Sequence, residues 1–151
     1  MKKVSKVKRF FSLLLIMMLL ASQTVHAAEC VDGSYLTEDE ESTGIMEIVP
    51  YGMYLQTGTS TIGDKGPGLV AAGGTTTAQT KVATVKVSVM LERYVGGKWI
   101  QYTTWQASAS NTNYVSSAKK VTVPTGFYYR VRCIHSANTD ASSSWTNGLY
   151  M

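Results

Sequence analysis

The sequence predicts an all-β fold for most of this 151-residue chain. Apolar and polar residues alternate in several short segments, which is the pattern of strands that bury one face. Glycine- and proline-containing turns separate these segments at regular intervals. After residue 27, no run of about ten residues shows the 3.6-residue spacing of an amphipathic helix. About seven short strands arranged in this way are typical of a β-sandwich.

The clearest strand is predicted at residues 85–94, where three valines and Leu91 share one face and polar residues share the other. Gly96 and Gly97 follow. Glycine enters positive φ without steric cost, so this pair predicts a tight turn. The aromatic-rich residues 98–106 then form the second strand of a β-hairpin.

Further strands are predicted on both sides of this hairpin. Residues 119–123 precede a turn at 124–126, and residues 127–135 alternate regularly behind it. In that second segment Phe127, Tyr129, Val131 and Cys133 face one way, and Tyr128, Arg130, Arg132 and Ile134 face the other. A last strand lies near the end of the sequence.

Upstream of the hairpin, the pattern predicts an edge strand at 48–55 and a weaker strand at 68–80. Between them, residues 57–68 have the glycine, threonine and proline content of a long surface loop. Residues 28–46 are acidic, with few apolar side chains and no period, which predicts a flexible leader before a sandwich domain at 47–151.

The first 27 residues have the features of a secretory signal peptide. Five basic residues precede an apolar run at 10–21, and Val25-His26-Ala27 has the small residues of a cleavage site. That run spans only about 18 Å as a helix, against about 30 Å of bilayer hydrocarbon. We therefore expect a secreted or loosely wall-associated product that starts at Ala28 or Glu29 and has no stable membrane anchor.

Removal of the signal peptide changes the charge balance. Nine basic residues then remain against ten acidic ones, so the basic pI of 9.1 belongs to the precursor and does not indicate nucleic-acid binding. From Ile48 onward, however, nine basic residues face only three acidic ones. The predicted domain is therefore cationic.

The sequence shows no motif for catalysis, a metal or a cofactor. His135 is the only histidine after the signal peptide, and it shares a strand face with Cys133. Two such residues are too few for a zinc site, so we interpret them as a buried cysteine beside a histidine at the rim, with a functional pair as the alternative. The three acids of the body, Asp64, Glu92 and Asp140, are interpreted as surface residues rather than a hydrolytic pair.

Two resemblances add to this interpretation. Residues 85–99 and 121–148 resemble the hairpins of fibronectin type III and related immunoglobulin-like sandwiches. Nearly the whole chain after the signal peptide is similar to an uncharacterised family of small secreted proteins of clostridia-like Gram-positive bacteria. That second likeness is carried by the segments GGTTTAQT, ERY with Gly-Lys-Trp, and GFYYRV with a following histidine. The first resemblance implies an architecture, and the second implies no activity.

A binding face is the remaining functional signal. The sandwich resemblance implies that strands 85–94 and 127–135 are neighbours, so Lys86, Tyr128, Arg130 and Arg132 would form one field. Cations interleaved with aromatic rings suit anionic wall polymers or acidic glycans. The alternative is an ordinary solvated sheet face. Trp99, near the hairpin turn, either fills the core or stacks on a sugar.

Two questions stay open at this level. Cys30 and Cys133 either form a disulfide or remain a free exposed and a free buried thiol. We expect a secreted, non-enzymatic protein that binds a cell-surface, wall-polymer or matrix component. A small secreted effector or bacteriocin-like toxin is the alternative, and an unrecognised hydrolase is a third.

Overall fold

The structure, a computed structural model, describes residues 33–46 and 52–151, and these residues form an all-β fold. The predicted fold class is therefore confirmed. The eight strands are β1 (Leu36–Thr37), β2 (Glu41–Ile45), β3 (Leu55–Asp64), β4 (Leu69–Val95), β5 (Lys98–Thr122), β6 (Tyr128–Ala137), β7 (Asp140–Trp145) and β8 (Gly148–Tyr150). Within the described ranges, no helix has the length and hydropathy that a membrane span requires.

All eight strands belong to one sheet. Its main path runs β1-β8-β6-β4-β3-β2, with β5 added on β4 and β7 added on β6. The β1–β8 pair is parallel, and the other pairs are antiparallel. The long strands β4 and β5 form a hairpin through Gly96 and Gly97, both at positive φ, as the glycine pair predicts.

The sheet curls because β4 pairs with different strands along its length. Its first part, from Leu69 to Ala78, pairs with β3, and its later part, from Val85 to Arg93, pairs with β6. Between these parts the β4–β5 register shifts from Thr77 to Val82. This irregularity bends the strand, and β3 then packs against β6 and β7.

Two glycines allow the facing halves to approach closely. A Cβ atom at Gly58 of β3 would collide with the His135 ring, and one at Gly74 of β4 would collide with the Cys133 sulfur. The core therefore forms around valines of β4, with side chains of β3 and β6 completing it. These residues include Ile62, Val70, Val85, Val87, Val89, Leu91, Val131 and Cys133, and none is more than 2% exposed.

The finer prediction of an immunoglobulin-like sandwich of about seven strands is not confirmed. An immunoglobulin-like sandwich has two separate sheets, whereas here β4 and β5 run through both halves of one continuous sheet. The predicted strands at 85–94 and 98–106 lie within β4 and β5, and the segment 127–135 becomes β6. The predicted last strand near 145–151 contains β8, whereas β7 covers residues that were predicted as a polar turn.

Two predictions upstream are wrong. The predicted surface loop at 57–68 is mostly strand β3, because Gly58 lies against His135 of the facing half and the threonines suit strand geometry. The flexible leader at 28–46 contains β1 and β2 in its described part, and β2 pairs with β3 over five residues. In the predicted edge strand 48–55, residues 48–51 lie outside the described ranges, and only Leu55 is in a strand.

Substitution of Gly74 with alanine should destabilise the fold because the new methyl group would overlap the Cys133 sulfur. Overpacking of this kind costs about 1–3 kcal/mol. Urea denaturation should show this loss for Gly74→Ala and likewise for Gly58→Ala. Gly63→Ala is the control, because the nearest atom to its Cβ would be the flexible Lys65 Nζ at 3.5 Å. Equal stability of all three variants would contradict the close approach.

Candidate functional site

The candidate site is the outer face of β4, β6 and β7, on the side away from the core. Pairing of β4 with β6 confirms that the two predicted strands are neighbours. Three rows of residues paired across β4, β6 and β7 form this surface, and these nine residues are called the outer face below. They are Met90, Arg132 and Trp145; Ser88, Ile134 and Ser143; and Lys86, Ser136 and Ala141.

Arg130 lies next to this face but is not available on its surface. Only 4% of the residue is exposed. Its Nε donates a hydrogen bond to Glu92 Oε2 at 2.7 Å, and another guanidinium nitrogen donates to Ser34 Oγ at 2.9 Å. The prediction that Arg130 points freely outward is wrong, because the only carboxylate of β4 holds its guanidinium in a buried ion pair.

Trp99 covers this ion pair. The Arg130 guanidinium lies 4.5 Å from the centroid of the Trp99 ring, and Tyr94 packs on the same ring at a centroid distance of 5.0 Å. Trp99 is half-buried, and a Cβ atom at Gly148 would collide with it. Through Tyr94, Arg130 and Gly148, Trp99 of β5 packs against residues of β4, β6 and β8.

The other predicted residues remain accessible. Arg132 is exposed between Met90 and Trp145, and Lys86 is half-buried two rows away. Tyr128 packs edge-to-face against Tyr150 at 5.1 Å. Because the row of Ser88, Ile134 and Ser143 lies between the rows of Arg132 and Lys86, the predicted continuous field is divided into two cationic points separated by uncharged residues.

Sequence reasoning missed the contributions of Trp145 and Tyr150 to this region. Trp145 is paired with Arg132 across β6 and β7, and 47% of Tyr150 is exposed. Both depend on the register of the last two strands, which turn chemistry alone does not specify.

The three carboxylates of residues 52–151 all have structural partners. Glu92 pairs with Arg130, and Asp64 accepts a hydrogen bond from the Gly66 amide at 2.8 Å. Asp140 accepts hydrogen bonds from the Tyr54 and Leu55 amides at 2.6 and 3.0 Å, which lower the pKa of its carboxyl group. The surface interpretation of Glu92 is therefore wrong, since it is only 7% exposed.

His135 is fully buried between the two halves of the sheet rather than at the rim, so that prediction is wrong. Thr76 Oγ1 donates to the Lys86 carbonyl, so it accepts a hydrogen bond from His135 Nδ1 at 2.8 Å. His135 Nε2 then accepts from Ser144 Oγ at 2.8 Å, and Ser144 Oγ accepts from Ser60 Oγ at 3.0 Å. This chain of hydrogen bonds ties β3, β4, β6 and β7 together.

The pair of Ser144 and His135 has the spacing of a nucleophile and its base. However, Ser144 is 1% exposed and His135 is 0% exposed, so no substrate reaches them in this structure. Burial also raises the pKa of the Cys133 thiol to about 12, which keeps it protonated. Within the described ranges, no three His, Cys, Asp or Glu side chains come together as metal ligands.

The predicted buried position of Cys133 is confirmed, and its thiol is free. Its sulfur lies 3.7 Å from the Gly73 carbonyl oxygen, as a weak donor. Cys30, the other half of the considered disulfide, lies outside the described residues.

Residues 25–149 match a family of unknown function, DUF6147. The chain belongs to this family. No curated protein matches it. The matched residues include the outer face, the Glu92–Arg130 ion pair and the His135 hydrogen-bond chain. Because the family has no assigned activity, the functional argument rests on these residues alone.

Removal of one partner of the ion pair should destabilise the protein strongly. Glu92→Gln removes the carboxylate that forms the buried ion pair with Arg130, and breaking a buried pair typically costs about 3–5 kcal/mol. The double variant Glu92→Leu/Arg130→Met should recover much of that loss. Urea denaturation measures both effects, and Arg132→Met, at an exposed position two residues away, should change stability by less than about 0.5 kcal/mol. An effect of Glu92→Gln as small as that of Arg132→Met would contradict the burial.

His135 should make stability depend on pH. Burial lowers the pKa of its imidazole to about 4, so as the pH falls below 6.5 the unfolded chain binds a proton before the folded one does. Stability is then lost progressively from pH 6.5 down to 4, by up to about 3 kcal/mol. NMR titration of the imidazole signal, assigned by its absence in His135→Gln, should give a midpoint near 4. A midpoint near 6.5 would show that the ring is solvated.

Proposed function

We propose that this chain is a secreted, non-enzymatic binding protein whose outer face binds an anionic polymer of the cell surface, wall or matrix. The observation that carries the proposal is the contrast between two arginines on β6. Arg130 is held by Glu92, whereas Arg132 is exposed on the same side of the strand and forms no salt bridge within the described residues.

The surroundings of Arg132 favour an anionic ligand. Met90 and Trp145 flank the arginine on the neighbouring strands, and 43% of Ile134 is exposed one row away. Apolar neighbours reduce the hydration of a guanidinium, whose planar fork matches phosphate and carboxylate groups. Lys86 adds a second cation on the same face.

The charge balance supports the same partner. Residues 48–151 carry nine basic and three acidic side chains. Glu92 is buried in its ion pair with Arg130, so within residues 52–151 the accessible negative charge comes from Asp64 and Asp140 alone. A net positive field attracts a polyanion and speeds its association.

The spacing of the two cations suits an extended polymer. Lys86 and Arg132 lie two rows apart on the outer face. The depression lined by Ser88, Thr104, Trp105 and Gln106, with a volume of about 300 Å³, lies beside them between β4 and β5. A polymer laid across β4, β6 and β7 contacts Lys86 and Arg132 together without a deep pocket.

Export is the second part of the proposal, and residues 1–27 support it through their basic start, short apolar run and small-residue cleavage site. A wall or matrix polymer is accessible only to an exported protein. The effector and hydrolase alternatives stay predictions from the sequence.

Loss of both outer cations should weaken polymer binding without loss of fold. We expect Lys86→Ser/Arg132→Ser to bind purified wall teichoic acid and polygalacturonate at least about fivefold more weakly, which corresponds to about 1 kcal/mol. Affinity electrophoresis measures this, with neutral dextran as the reference polymer. Binding of the unaltered protein should also weaken as salt is added.

The charge-matched control is Lys119→Ser/Lys120→Ser, near the far end of β5. It removes the same two positive charges from another part of the surface. Equal weakening by both variants would show that only net charge matters. No binding of either polyanion by the unaltered protein would refute the proposal.

A further inference from the structure

The outer edge of β5 is open along the whole strand. From Lys98 to Thr122 this strand pairs only with β4. In the described part of the chain no other strand packs beside it with more than marginal contact. Half of its backbone N–H and C=O groups therefore point away from the sheet, where they can pair with another strand.

The register of β5 is irregular near Tyr102 and near Asn111, which has positive φ. Between these points, from Thr103 to Ser110, the edge lacks the features by which edge strands usually avoid pairing. Residues 99–118 contain no charged residue, no proline and no glycine. The edge at β2 differs, because the segment 145–147 covers it. There the Asn147 amide donates a hydrogen bond to Ser42 Oγ at 2.9 Å, and the Trp145 carbonyl lies directly against Gly44.

The central part of β5 is complementary to itself. Residues 103–110 keep a regular register with β4. If a second copy pairs antiparallel around Ala107, the large Trp105 lies opposite the small Ala109 of the other copy, and this contact occurs twice. On the other face, exposed Thr104 lies opposite Ser110, and exposed Gln106 opposite Ser108. In this register, no lysine lies opposite a lysine.

We infer that β5 is a dimerisation edge, and that its occupant is β5 of a second copy of this chain. A neutral edge has no charge that an acidic or basic peptide could recognise. The β5 edge of a second copy is also neutral, so the two edges can pair without charge repulsion. The shallow depression beside Trp105 and Gln106 lies at this edge and can receive side chains of the second copy. The pairing is isologous, so it closes at two copies.

Such a dimer extends the sheet across the interface. Its two-fold axis is perpendicular to the local sheet, so the outer faces of both copies point to the same side. Two Arg132 positions then face one polymer, and the second contact becomes intramolecular. The dimer itself requires no ligand, so it can be tested separately from polymer binding.

Charge variants at the edge test the inference. Gln106→Lys/Ser108→Lys places four lysines at the interface, and Gln106→Glu/Ser108→Glu places four glutamates there. Sedimentation equilibrium of the purified protein should show a concentration-dependent dimer, and each variant should raise the dimer dissociation constant at least about tenfold. An equimolar mixture of the two variants should restore the dimer through opposite charges.

The matched control is Ala141→Lys/Ser143→Lys on β7. These positions lie in the same two rows of the sheet as Ser108 and Gln106, on the same side. This variant should dimerise normally, and circular dichroism should show all variants folded. The inference is overturned if the unaltered protein stays monomeric up to millimolar concentration, if the edge variants still dimerise, or if mixing restores nothing.

Discussion

The close approach of the two halves of the curled sheet is the constraint on which the other features depend. It requires the bend in β4 and two positions without a side chain, Gly58 and Gly74. Once the halves are in contact, His135 has no access to water, and it must satisfy both ring nitrogens with hydroxyl groups. The same packing closes the inner side of the sheet, which leaves its outer face and its edges for interactions.

On that outer side, one buried ion pair gives Arg130 a structural role and leaves Arg132 as the arginine that we propose binds the polymer. Glu92 neutralises Arg130, Trp99 covers the pair, and Ser34 connects the N-terminal segment to it. A buried pair of this kind needs extra partners to offset the loss of hydration of both charges. Arg132 lies two residues along the strand. Its paired residue on β4 is Met90 rather than an acid, and Arg132 is exposed.

Strand alternation in the sequence was sufficient to predict the all-β class, and the glycine pair predicted the hairpin at Gly96. The pairing of β4 with β6 was implied only by the sandwich resemblance. Alternation also placed Arg130 and Arg132 on one side of a strand. It predicts which side of the sheet a side chain faces, but not whether other residues cover that side chain. The burial of Arg130 depends on Trp99 and Ser34, which are distant in sequence. Strand β3 was missed because its glycines indicate a loop locally, whereas Gly58 lets the His135 ring of the facing half approach.

The central claim is that two arginines on the same side of β6 have opposite environments. NMR spectra of the arginine side-chain Nε–H groups test it most directly. We expect the Arg130 signal to be sharp and slow to exchange with water, because its Nε–H is buried against Glu92. We expect the Arg132 signal to exchange rapidly and to shift when teichoic acid is added. Equal exchange of the two signals, or a shift at Arg130 alone, would contradict the account.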